Sequence, residues 1–464
     1  MRHPFSILSL LLAATTSVAA PPPSCAPDSV KRHNDAIDLI PPDRRAFPVL
    51  LQFAELIKPL ASDETWSRLG SARPCDPAWP EALELLRNNQ DAIATLSAFR
   101  SCEAVGQYLS ADDSVTRPPG DPDFMLLHAK VPHLGPARCA ARLLWIQSWK
   151  HFIDGNEQAA ADSLLLALNL SAALCDGSTT VSMLTGILLL GETANRISQM
   201  TSTNPAFFGD DSAGRLQNAL ANSVARPVST EATERAVFDD IFARLYCSDG
   251  RWSEKANERS RVVVVALLAD TDPPPEPAMG TDAIKRLALL SKTEQLATRS
   301  EMNAKLEELL ALGRAFIAAT LRDADPSAMR RFEREVSDAP GGKYLPIALL
   351  LPAFEKIWLG REVWYQHADA ARIGLELGRQ HRLTGRWPDS LDGLAFGATT
   401  DPSDRFTGER LRYRLIDGRP VVYSVGPDKE DSQGRPIADI KHGAVPRNPE
   451  RTGDWILWPT PTCD

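Results

Sequence analysis

Apolar positions along most of this chain recur every three to four residues, the period of a helix that rests one face on a core. Between Glu81 and Phe99, Leu85, Leu86, Ile93, Leu96 and Phe99 share one broad face, with Glu84, Arg87 and Asn88 opposite, so a single helix is expected there. Residues 137–153 and 158–174 predict an antiparallel pair joined at Asp154-Gly155-Asn156, a natural helix stop and turn. Further helices are expected at 180–200, 211–221, 230–246, 298–322 and 363–382. The apolar run 261–269 is compatible with strand or helix, because so short a run has no deciding period. Trp145, Trp149 and Phe152 recur at helical spacing and read as core packing rather than as a sugar platform.

After Thr384-Gly385 the pattern changes. Pro388, Gly393, Gly397 and Pro402 punctuate the chain, and two short alternating runs follow, Leu411 to Ile416 and Pro420 to Val425, joined by Asp417-Gly418. An Asp-Gly pair between strand-like runs is a strong hairpin signal. Trp455 to Trp458 predicts one further edge strand. The expected fold class is a mainly α N-terminal region followed by a small α+β module with an antiparallel sheet. The pair around Asp154-Gly155 has the helix lengths of a tetratricopeptide unit, but no second copy occurs at a fixed period, and a solenoid needs several. The expected division is 1–19 signal peptide, 20–271 helical domain, 272–278 Pro-rich linker, 279–362 helical continuation and 363–464 α+β module.

Composition adds a destination. Of 464 residues, 43% are hydrophobic and 24% charged, enough apolar material for a sizeable core. The net charge of −9, with no Lys/Arg cluster interleaved with aromatics, argues against a nucleic-acid partner. Arg2 and His3, the apolar run Phe5 to Ala14, and Ser17-Val18-Ala19 read as a secretory signal cut after Ala19. No later apolar run reaches about eighteen residues, so the mature chain is expected to be soluble and exported, periplasmic or extracellular, with no membrane span. Seven cysteines without a CxxC pair suit an oxidising compartment; disulfides are expected among Cys25, Cys75 and Cys463, and the odd count leaves at least one thiol over.

Catalytic motifs are missing: no G-x-S-x-G, H-E-x-x-H, P-loop or G-x-G-x-x-G occurs. His128 and His133 have the wrong spacing for one helix face, and His151 and His367 read as surface or core histidines. The expected work is therefore that of a non-enzymatic scaffold or interaction protein of the cell envelope with a protein partner. The alternatives are a hydrolase-type enzyme whose site is assembled between helices, and a secretion-system accessory. The stretch Ser424 to Ile440 gathers Asp428, Glu430, Asp431 and Asp439 with no histidine or cysteine. Such hard oxygens suit calcium rather than zinc; the plainer reading is a solvated polar turn.

The order of features after residue 364 resembles the C-terminal half of the major pseudopilin of type II secretion. The matching pieces are Arg386-Trp387-Pro388, Leu391 and Leu394, Asp401-Pro402, Gly408 to Tyr413, Val422 to Asp428, and Asp439-Ile440. The resemblance implies a helix, 363–382, packed on an antiparallel sheet. It also implies a calcium ion held in the acidic loop by Asp428 and Asp439, with the carbonyl of Val425 and with Asp431 in reach. The chain departs from that family in having a secretory-type signal and a long helical region where pseudopilins carry a prepilin-peptidase site and a fibre-building helix. The glycine-rich middle of the family's loop is replaced by Glu430-Asp431-Ser432-Gln433.

Overall fold

A computed structural model describes residues 28–60, 62–108, 131–176, 179–225, isolated positions between 235 and 246, 297–318, 326–340, 343–344, 347, 354–396, 401–437 and 452–460. The expected signal peptide, the linker 272–278, the run 261–269 and Asp439 lie outside the described residues, as do Cys25, Cys247 and Cys463. Twelve helices and three strands are found among the described residues. The helices are α1 (Asp28–Asp38), α2 (Ala46–Leu56), α3 (Asp63–Gly70), α4 (Trp79–Asn88), α5 (Gln90–Thr95) and α6 (Leu134–Ile153). They continue with α7 (Glu157–Cys175), α8 (Thr180–Thr203), α9 (Asp210–Ala225), α10 (Arg299–Ala318), α11 (Pro326–Ser337) and α12 (Phe354–Thr384).

The expected antiparallel pair is α6 and α7. Gly155 turns the chain at φ +71°, and the Asn156 side chain caps α7 by accepting from Ala159 N–H at 3.2 Å. The two helices pack together, α8 and α9 also pack on α7, and α12 runs along α8 and α9. Trp145 and Trp149 are buried in this core, as the spacing predicts. The expectation that no later run reaches membrane-spanning length is amended: α7, at 19 residues, is long and apolar enough by composition to cross a membrane, yet it is a central core helix packed by α6, α8 and α9. His133, one residue before α6, is fully buried; its Nε2 lies 2.8 Å from Ser182 Oγ, and burial holds its pKa down at about 3.

The helix expected over 81–99 is broken in two. Asn89 leaves helical geometry at φ −120°, ψ 25°, and ends α4. Its buried side chain donates to Leu85 O at 2.8 Å and accepts from Lys58 N–H at 2.8 Å. A short polar side chain that bonds backbone in this way competes with the helix ladder. The chain then restarts as α5 and tightens into a 3₁₀ turn at Leu96–Arg100.

The C-terminal sheet contains β1 (Arg412–Ile416), β2 (Arg419–Ser424) and β3 (Trp455–Trp458), antiparallel in the order β1-β2-β3. Asp417 and Gly418 both take positive φ, 51° and 72°, the backbone of a tight hairpin turn. One helix serves both halves of the fold. Val363, Ala370, Ile373 and Leu377 of α12 join the sheet core with Leu411, Val422, Leu457 and Trp458. Ala368, Ala371 and Leu375 face the helical core instead. This explains why apolar residues alternate at 373, 375 and 377 rather than forming one stripe: both sides of the helix are buried. The close fit along this helix uses glycine, since a Cβ at Gly191 of α8 would lie 2.0 Å from Trp364 and one at Gly378 would lie 2.1 Å from Pro205 O.

Among the described residues Cys102, Cys139 and Cys175 are thiols outside any disulfide; Cys75 is not among them. Burial pushes Cys102 and Cys139 up to about 11, so neither is a ready nucleophile.

Candidate functional site

The described part of the acidic loop, 425–437, leaves the end of β2 and is hydrogen-bonded to the residue before β3. Its entrance is fixed by Asp404, a residue of the preceding irregular segment. Asp404 Oδ1 accepts from Ser424 Oγ at 3.0 Å and from Phe406 N–H at 2.9 Å, and Oδ2 accepts from Val425 N–H at 2.9 Å. Burial raises the pKa of Asp404, and these three donors pull it back. The exit is fixed by Asp454, one residue before β3. Its Oδ1 accepts from Ser432 N–H at 3.1 Å and its Oδ2 from Gly434 N–H at 2.6 Å. The backbone of Asp454 also clasps the loop, its N–H donating to Arg435 O and its carbonyl accepting from Ile437 N–H.

Between these anchors the loop winds through two tight turns. Gly426, Lys429, Gln433 and Gly434 all have positive φ, between 62° and 80°. Asp428 Oδ1 accepts from Glu430 N–H at 3.1 Å, and Asp431 Oδ1 accepts from Gln433 N–H at 2.8 Å and from the Tyr423 hydroxyl at 3.1 Å. These are Asx-type turns in which the carboxylates organise their own backbone. Asp428, Asp431 and Asp454 sit close enough to interact: burial raises the pKa of Asp454, the two amides lower it, and the charges of Asp431 and Asp428 raise it again.

Of the four residues the sequence points to, Val425 lies buried at the loop's entrance, and Asp428 and Asp431 lie within the loop. Asp439 is outside the described residues. Among the described residues no group of three carboxylate, imidazole or thiolate side chains could hold a metal ion. The donor chemistry still suits a hard cation in kind. Asp428 Oδ2 is buried with no hydrogen-bond partner among the described residues, whereas both oxygens of Asp454 are occupied by amides. Of the described carboxylates, Asp428 keeps one such unbonded oxygen, Asp431 has its Oδ1 taken by Gln433 N–H and the Tyr423 hydroxyl, and Asp454 closes the loop.

A second constellation runs along α12. Glu362, Gln366, Asp369, Arg372 and Glu376 are all buried. Asp369 accepts from Arg372 Nη1 at 2.8 Å and from Arg405 Nη2 at 2.6 Å. Arg372 also donates to Phe396 O from Nε at 3.0 Å and from Nη2 at 2.5 Å, and Gln366 Oε1 accepts from Arg405 N–H at 2.8 Å. Tyr365 lies between two guanidiniums, with Arg361 5.7 Å and Arg405 5.8 Å from its ring centroid, a cation–π arrangement. Glu362 pairs with Arg361 at 2.6 Å, and Glu376 with Arg379 at 2.8 Å. Each carboxylate already faces a guanidinium, which makes this an ion-pair network tying Phe396 and Arg405 to the helix.

Sequence reasoning missed this network, although its signal is in the chain: the polar positions 362, 366, 369, 372 and 376 recur every three or four residues. It also missed Asp404 and Asp454, whose partners are set by strand pairing across 20 or more residues. No family model matches the chain, and no curated protein or solved structure matches it either.

Proposed function

We propose that this chain is an exported, non-enzymatic interaction protein of the cell envelope, a helical scaffold carrying a pseudopilin-like module whose acidic loop is fastened by calcium. The observation that carries the reading is α12, which packs on α8 and α9 along one side and on the β1-β2-β3 sheet along the other. A helix on an antiparallel sheet followed by an acidic loop is the arrangement that the residue order after 364 implies. Because one continuous helix belongs to both layers, the module is held rigidly against the helical region, as a presented surface requires.

The export part rests on the first nineteen residues. Protein recovered outside the cytoplasm should begin at Ala20; an intact N-terminus on cytoplasmic protein would sink it. The calcium part rests on Asp428 and Asp431. A ligand that binds only the folded state adds about 2.7 kcal/mol at roughly 100 times its Kd, so saturating calcium should raise the melting midpoint of the mature chain by several degrees. EGTA and Asp428→Asn should each remove that rise. A midpoint indifferent to both EGTA and excess calcium would overturn the calcium assignment.

A further inference from the structure

The acidic loop and the α12 network leave one group of charges unexplained, at the junction of α3, α6 and α8. Several ion pairs of this protein are tight, such as Arg44 to Glu103 at 2.6 Å, Arg68 to Glu81 at 2.7 Å and Arg405 to Asp369 at 2.6 Å, while a few, such as Arg215 to Asp211 at 3.9 Å, are loose. At this junction they are loose. Arg138 stands 3.9 Å from Asp63 and Arg196 3.8 Å from Glu192, both beyond hydrogen-bond length.

Arg196 is 5% exposed and lies over the Trp145 ring at 5.4 Å. Its one hydrogen bond among the described residues goes to Gln199 Oε1 at 3.2 Å, and its Nε is buried with none. Arg142 makes no hydrogen bond or ion pair among the described residues, although it is only partly exposed. Its aliphatic stem crosses the end of α3 against Gly70, where a Cβ would come within 2.4 Å of Arg142 Cγ. Arg142 lies three residues before Trp145 on α6, and Arg196 lies over the Trp145 ring, so the two arginines share one neighbourhood, in which Glu192 acts on both. A buried guanidinium with an unfilled donor is costly unless an acceptor completes it, and here the carboxylates nearby, Glu192 to both arginines, Asp63 to Arg142 and Asp76 to Arg196, act through charge without a hydrogen bond to either guanidinium among the described residues.

We propose that Arg142 and Arg196, with Arg138 at the rim, form a binding site for an oxyanion group, the phosphate or carboxylate of a small ligand. The guanidinium fork matches either group with two parallel hydrogen bonds. Trp145 fixes the inner guanidinium by stacking and by anchoring its own Nε1–H on Thr193 Oγ1 at 3.0 Å. Arg142 is the outer, partly exposed arm by which the ligand enters.

The test is isothermal titration of the mature protein with inorganic phosphate and, separately, with acetate, at constant ionic strength in chloride. Saturable binding of either is the expected result, and the one that binds names the group recognised. Arg142→Gln should weaken that binding by about tenfold or more, the loss of one charge-assisted pair. It should leave the ligand-free melting midpoint near that of the parent, because among the described residues Arg142 has no hydrogen bond or ion pair to lose. Glu192→Gln should tighten binding several-fold by removing the competing carboxylate that acts on both arginines. The site is overturned if neither anion binds saturably, or if Arg142→Gln and Glu192→Gln leave the affinity unchanged.

Discussion

Replacing Asp369 with alanine should lower the unfolding free energy by about 3–5 kcal/mol, the range for removing one partner of a buried ion pair. Asp369 is 1% exposed and binds both Arg372 and Arg405. Without it Arg372, fully buried, keeps the Phe396 carbonyl but loses its neutralising charge. Arg405 keeps its backbone bond to Gln366 and its place beside Tyr365 and Glu362 but loses its ion-pair partner. Asp369→Asn, which retains shape and loses charge, should fall between parent and alanine. Urea denaturation followed by far-UV circular dichroism measures all three. A double-mutant cycle with Arg405→Ala should give a coupling of the size found for contacting buried groups, about 0.5–3 kcal/mol. A loss below about 1 kcal/mol for Asp369→Ala would place this network with exposed surface pairs and remove its role as the tie between helix and sheet module.

That network also marks where the sequence stopped being readable. The α6–α7 pair, α8, α9 and the β1–β2 hairpin follow from local period, caps and the Asp417-Gly418 turn, all of which act within a few residues. The limits of α12 do not follow so simply, because amphipathic reasoning assumes one buried face and one wet face. α12 has two buried faces, so Leu375 and Ile373 serve different cores and its charged residues are pointed inward rather than at solvent. The acidic loop was legible as a place but not as a mechanism. Asp428 and Asp431 stand out by composition, whereas Asp404 and Asp454, which hold the two ends, gain meaning only when β2 pairs with β3. Asn89 shows the converse failure: the periodicity of 81–99 is real, but a side chain bonded to Lys58 across 31 residues outweighs it.

Gly378→Ala should destabilise the fold although the same change in an ordinary helix is favourable. Helix propensity alone predicts a gain of about 1 kcal/mol. Against it stands Pro205 O, 2.1 Å from where the new methyl would sit, with the Pro205 carbonyl carbon at 3.1 Å. The obstacle is backbone, so no rotamer change relieves it. Pro205 lies just beyond α8, and the chain after it is pinned to α12 where Arg382 donates to Phe208 O at 3.2 Å and pairs with Asp210. Either α12 lifts off α8 or the turn after α8 shifts, and both open the seam lined by Leu375 and Met200. Overpacking of this kind costs about 1–3 kcal/mol, which leaves a net loss of up to about 2 kcal/mol after the propensity gain. Gly360→Ala is the internal control: it lies in the same helix with nothing within 4 Å of the place its new methyl would take, so it should stabilise by about 0.5–1 kcal/mol. Opposite signs for one substitution at two points of one helix would show that contact with α8, rather than helix propensity, governs α12. Equal gains at both positions would mean that α12 stands farther from the Pro205 carbonyl than this close contact requires.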